Sequence, residues 1–175
     1  MRLCLFCAGI ALITSCNSEK TAVIHTELGS MTVRLRADTP LPAGDSLEIE
    51  QVAQDEFIRL NDYSSSSSVR NTNDGKTEWP LSGTLVESGG AIFIVQGRKH
   101  TDTTLDRWEQ LNNRKLDPNV RDQLKQKGGS LVLGGRCKII GELTTGREVL
   151  NRIAALPTGN TGHPLRRVFY TVSLQ

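Results

Sequence analysis

The 175-residue chain has few aromatic residues, 5% of the total, so its core must be built mainly from aliphatic side chains. Histidine is scarce as well. His25, His100 and His163 stand far apart without the spacing of metal ligands, and no carboxylate-rich calcium loop occurs. No cofactor is implied. A Gly-x-Ser-x-Gly nucleophile elbow is missing, as is a glycine-rich phosphate loop ending in lysine; Gly128-Gly129 and Gly134-Gly135 read as turns. Neither sign of charge dominates, with 21 Lys and Arg against 19 Asp and Glu. The concentrated basic surface that nucleic acid demands is lacking, and no nucleic-acid partner is expected. Nor is there a long apolar run: Leu3 to Ile13 spans eleven residues, whereas a membrane-crossing helix needs ~20.

That short run carries the first positive signal. Met1-Arg2 supplies a charge, Leu3 to Ile13 an apolar stretch, and Ile13-Thr14-Ser15 small residues before Cys16, the anatomy of a secretory signal peptide. The Ile-Thr-Ser-Cys ending resembles the lipobox of bacterial lipoproteins. This resemblance implies removal of residues 1–15, lipid modification of Cys16 and a polar tether over 16–21. Two or more acyl chains anchor a protein stably where one does so marginally. The expected location is the bacterial cell envelope, and Asn17, not being the aspartate of inner-membrane retention, points to the outer membrane. Cys4 and Cys7 then belong to the discarded segment, and Cys137 is the one thiol of the folded body, so no internal disulfide is expected.

Beyond the tether, AVIHTEL and MTVRLRA alternate apolar and polar residues around Gly29-Ser30, the pattern of a two-residue hairpin with glycine first. From Ser46 the pattern turns helical: Ile49, Val52, Ala53, Phe57 and Leu60 share one stripe, and Asp45 with Glu48 forms a capping box. Residues 61–76 are too polar to fold on their own account and read as a surface loop. Strands are expected over 81–87 and 91–96, then two short helices in an insertion over about 99–127, the second with Asp117 as N-cap and Pro118 at its first position. Short strands at 131–133 and 137–143, a helix over 147–154 and a closing strand at 168–174 complete the chain. Several short strands with few helices argue an antiparallel barrel or sandwich.

The C-terminal GELTTGREVLNRIAALPTGNTGHPLRRVFYTVSL resembles the closing segment of cyclophilin-type peptidyl-prolyl isomerases. AVIHTELGSMTVRLRADTP is similar to that family's opening hairpin, DEFIRL to the helix after it, and GGAIFIVQGR to its Gly-Ser-Gln-Phe-Phe/Tyr-Ile strand. The likeness is good over 22–40, 88–98 and 128–175 and poor over 41–87. It implies one domain over 22–175, mainly β: an eight-stranded antiparallel barrel with two flanking helices and the helical insertion.

In the family an apolar groove seats a proline ring, and an arginine guanidinium favours the twisted amide. By resemblance Phe93 is the aromatic floor and Leu133 a groove residue. Ala91 stands where a carbonyl-binding glutamine belongs, and Val132 and Cys137 stand where tryptophan and histidine are common. The family's Phe-His-Arg-Val strand finds no counterpart in the poorly matching region, and Val69-Arg70 is its one candidate relic, making Arg70 the candidate catalytic residue. The resemblance thus implies a proline isomerase of weak or lost activity acting on proline-containing segments of envelope proteins. The alternative is a non-catalytic lipoprotein that binds such a segment or a partner surface. Replacing Cys16 by serine is expected to release the protein from membranes on fractionation; continued sedimentation with membranes would contradict lipid anchoring.

Overall fold

The computed structural model describes residues 20–36, 41, 46–62 and 79–175. Residues 1–15, expected to be a signal peptide, Cys16, Arg70 and residues 63–76 of the expected polar loop lie outside them. Strands β1 (Lys20–Thr26) and β2 (Gly29–Leu35) pair antiparallel, with Ile24 opposite Met31 and Ala22 opposite Val33. The turn falls on Glu27-Leu28, two residues before the expected Gly29-Ser30. Thr26 fixes it, its Oγ1 donating to the Gly29 carbonyl at 2.8 Å and accepting from the Leu28 N–H at 3.1 Å.

The segment from Ser46 forms no helix. It makes β3 (Leu47–Glu48), β4 (Gln51–Ala53) and β5 (Phe57–Asp62). The apolar stripe that suggested a helix is interrupted by a turn at Gln54-Asp55-Glu56, where Asp55 adopts φ 65° and its N–H donates to Gln96 Oε1 at 2.8 Å. On β5 the real period is two: Ile58 and Leu60 point into one core and Phe57 into another. The capping residue expected at Asp45 lies outside the described residues, and Asn61 and Asp62, assigned above to the polar loop, end β5.

Next come β6 (Thr84–Ser88), β7 (Ala91–Val95), α1 (Asp102–Asn112), α2 (Pro118–Gln126), β8 (Lys138–Thr145), α3 (Arg147–Ala154) and β9 (Phe169–Leu174). The expected strand at 131–133 is a bend. All nine strands form one antiparallel sheet in the order β3-β9-β1-β2-β8-β6-β7-β5-β4. Its two edge strands are consecutive in sequence, parted only by Ile49 and Glu50. Ile49 donates its N–H to the Val168 carbonyl beside one edge at 2.9 Å, and Glu50 donates to the Arg59 carbonyl near the other at 3.0 Å. The sheet therefore curls until its edges meet along this two-residue seam.

The space inside is filled by Ile24, Met31, Ile58, Leu85, Ile94 and Ile140, with α3 laid into it through Val149, Leu150 and Ile153. Gly29 permits that approach: at φ 126°, a side chain there would place its Cβ 2.8 Å from Val149. Of the helices among the described residues, α3 packs on this core; α1 and α2 form the insertion, α1 capped by Thr101 and α2, as expected, by Asp117 with Pro118. Trp108 of α1 packs edge to face against Trp79 with centroids 5.2 Å apart, over Leu105, Leu116 and Leu124. Beside them Glu109, only 4% exposed, accepts from Lys115 Nζ at 2.8 Å, the Leu116 N–H at 3.1 Å and Arg121 Nη1 at 3.0 Å.

Ile153 is fully buried, so Ile153→Ala should destabilise the fold by about 2–5 kcal/mol in urea unfolding. Glu109 is held down to about 2 from an ordinary 4.5, chiefly by Lys115, with the Leu116 N–H and Arg121 adding to it. A carboxyl with a depressed folded pKa stabilises above its unfolded value and loses that contribution as pH falls through the folded one. Amide protection factors in the insertion, corrected for intrinsic exchange, should therefore fall as pH drops from about 4.5 to 2 in wild type, and Glu109→Gln should flatten that part of the profile.

Candidate functional site

The wall formed by β5, β7, β6 and β8 has two apolar faces. Ile58, Leu60, Ile92, Ile94, Leu85 and Ile140 face the interior. Their sequence neighbours Phe57, Phe93, Val95, Ala91, Val86 and Ile139 gather on the opposite face in a second cluster. On β7 every position is apolar and buried, which is why that strand reads as a continuous hydrophobic run.

On this outer face Phe57 and Phe93 meet edge to face, ring centroids 5.0 Å apart at 83°. Leu133 and Cys137 come over the cluster from the segment before β8. Ser130, fully buried, secures that segment: its Oγ donates to Glu56 Oε2 at 2.6 Å and accepts from the Leu133 N–H at 3.3 Å. On the other side Gly134 lies against Trp79, where an added Cβ would stand 2.0 Å from the indole. The bend is clamped between two clusters, Leu131 in one and Leu133 in the other, and Val132 between them is turned outward at 60% exposure.

The structure therefore brings together Ala91, Phe93, Leu133 and Cys137 of the residues expected from sequence. It leaves Val132 outside the cluster, because the bend commits its two neighbours to the apolar sides. Arg70 lies outside the described residues. The residue that sequence reasoning missed is Arg59. On β5 it stands directly opposite Phe93 of β7, as Phe57 stands opposite Val95. Directly paired residues of antiparallel strands share a face with Cβ atoms ~4.5–5.5 Å apart, so Arg59 shares the face of the two phenylalanines. Its Nε lies 3.3 Å from Glu50 Oε2, both side chains being about one-third exposed, 31% and 29%. The signal was present: Phe57-Ile58-Arg59-Leu60 has the phenylalanine, the arginine and the following apolar residue of the Phe-His-Arg-Val strand. It was hidden by being assigned to a helix.

An apolar floor of two aromatic rings, an aliphatic lid residue and a guanidinium at one side suit a small apolar ring attached to an amide. Among the described residues no group of three or more His, Cys, Asp or Glu side chains gathers as a metal site.

Two crystal structures of a cyclophilin-type peptidyl-prolyl cis-trans isomerase from Cryptosporidium parvum are similar to this chain. They superpose with TM-scores of 0.55 and 0.54 at 12% identity, over 90% and 89% of this chain and 98% of the other. The second was determined in the presence of the dipeptide Ala-Pro. No family model and no curated protein matches the sequence. The fold is that of the cyclophilin-type isomerases, as the ends of the sequence suggested.

Proposed function

We propose that the protein is a divergent cyclophilin-type peptidyl-prolyl cis-trans isomerase that binds X-Pro segments on the outer face of its sheet. The observation that carries this reading is the placement of Arg59 across from Phe93, with Phe57 edge-on beside them. Rotation about an X-Pro amide must overcome a barrier of ~18–20 kcal/mol that arises from resonance between nitrogen and carbonyl. Twisting the amide breaks that resonance and returns a lone pair to the prolyl nitrogen. A guanidinium donating to this nitrogen stabilises the twisted form and neither planar isomer, the condition for acceleration. In this reading the proline ring sits on Phe93 and Phe57 under Leu133, and Arg59 is the donor.

Ala91 offers no side-chain hydrogen bond to the substrate carbonyl. Loss of one preorganised donor typically costs ~10²–10³-fold in rate, so the enzyme should be slow. Clients would be proline-containing segments of envelope proteins, met at a membrane surface to which Cys16 anchors the chain. Lys20 begins the first strand only four residues after Cys16. At ~3.3–3.6 Å per extended residue, the domain would stay within about 15 Å of the anchor.

Two-dimensional NMR exchange on an Ala-Pro peptide, without a coupled protease, tests this. Wild type should raise the isomerisation rate above the uncatalysed value, and Arg59→Ala should lower the increment by about 10²–10³-fold. If the loss followed Arg70→Ala instead, the assignment to Arg59 would fail. Exchange at the uncatalysed rate with equimolar protein would contradict catalysis, and peptide line broadening in that case would mark a binding protein.

A further inference from the structure

We infer that Glu50 is the positioning residue for Arg59, keeping its guanidinium on the phenylalanine face where the isomerase reaction would use it. The inference rests on the isomerase reading and adds to it a second residue. An arginine side chain has many rotamers to lose, and an arginine on a sheet face sweeps a wide arc unless something fixes it. Glu50 is placed to do so by two contacts with the same residue. Its backbone N–H bonds the Arg59 carbonyl at 3.0 Å, and its carboxylate Oε2 lies 3.3 Å from Arg59 Nε.

The backbone bond fixes where the carboxylate starts, and its negative charge at ion-pair distance from Nε, a contact without hydrogen-bond geometry, draws the guanidinium to one side of its arc. Both side chains are about one-third exposed, so the pair is screened less than one in open solvent. Glu50 is itself pinned from the far side, because its neighbour Ile49 is buried and bonds the Val168 carbonyl at 2.9 Å. The residue that aims Arg59 is therefore part of the seam that closes the sheet, and closure and aim come from one short segment. Strand β4, which follows, pairs Gln51 with Arg59 and continues the same support.

Misplacing a reacting group by about 1 Å can cost up to ~10²-fold. Glu50→Gln keeps the shape and removes the charge, and should lower the catalysed rate about tenfold while changing Ala-Pro peptide affinity less than about twofold. The Arg59 Nε–H resonance in 15N NMR should broaden or shift, and in an Arg59→Ala background Glu50→Gln should have no further effect on rate. Glu50→Asp, which keeps the charge on a shorter arm, should recover part of the rate and of the Nε–H signal, a recovery that damage to the seam alone would not give. Wild-type rate in Glu50→Gln with Arg59→Ala still impaired would overturn the role of Glu50 and leave the isomerase reading intact. A faster Glu50→Gln would overturn it too, showing that the carboxylate restrains Arg59. Wild type that leaves exchange at its uncatalysed rate would overturn both.

Discussion

The structure depends on the seam at Ile49-Glu50. A sheet of nine strands ordinarily has two edges, each with a row of unpaired backbone groups. Here the chain steps from one edge to the other in two residues, bonding Val168 with the first and Arg59 with the second. The curl that follows separates an inside from an outside. Aliphatic residues and α3 fill the inside, so the outer face of β5 and β7 need not be part of the main core. The outer phenylalanines form a second, separate apolar cluster with Leu133.

The outer face draws its order from rigid parts. Phe57, Arg59 and Phe93 are fixed by the register of two paired strands, and Leu133 by a bend clamped between Ser130 on one side and Trp79 on the other. The insertion contributes through that clamp. Its exit at Gly128 and Gly129 bonds back to Ser82 and Arg98, and Ser130 bonds to Glu56 in the turn between β4 and β5. Helices α1 and α2, held together around Glu109 and Arg121, thus brace the segment that carries Leu133. A site built on strands and braced loops suits a reaction that requires placement of an amide and no covalent chemistry.

Elements with local signals were legible in the sequence. Helix α3 followed from its apolar stripe, α2 from Asp117 and Pro118, and β7 from a run of apolar residues between Gly90 and Gln96. The segment over 46–62 was not, because its apolar residues fit a helical stripe equally well and the feature that decides against it is non-local. Besides the short neighbouring β4, β5 pairs with β7, distant in sequence, and the turn at Asp55 is held by Gln96. The site shared this fate. Ala91, Phe93 and Leu133 lie in segments whose pattern is clear, whereas Arg59 lay in the segment whose period was misjudged. Val132 reads like its neighbours in sequence, and only the clusters on either side of the bend turn it outward.

The most direct test of the account is where an X-Pro ring sits. Intermolecular nuclear Overhauser effects from the proline ring protons of an Ala-Pro peptide would locate it on the isotope-labelled protein. The account predicts contacts to the rings of Phe57 and Phe93, to the Leu133 methyls and to the Arg59 side chain. Contacts confined to the α1–α2 insertion, or to any face lacking Phe93 and Arg59, would contradict it.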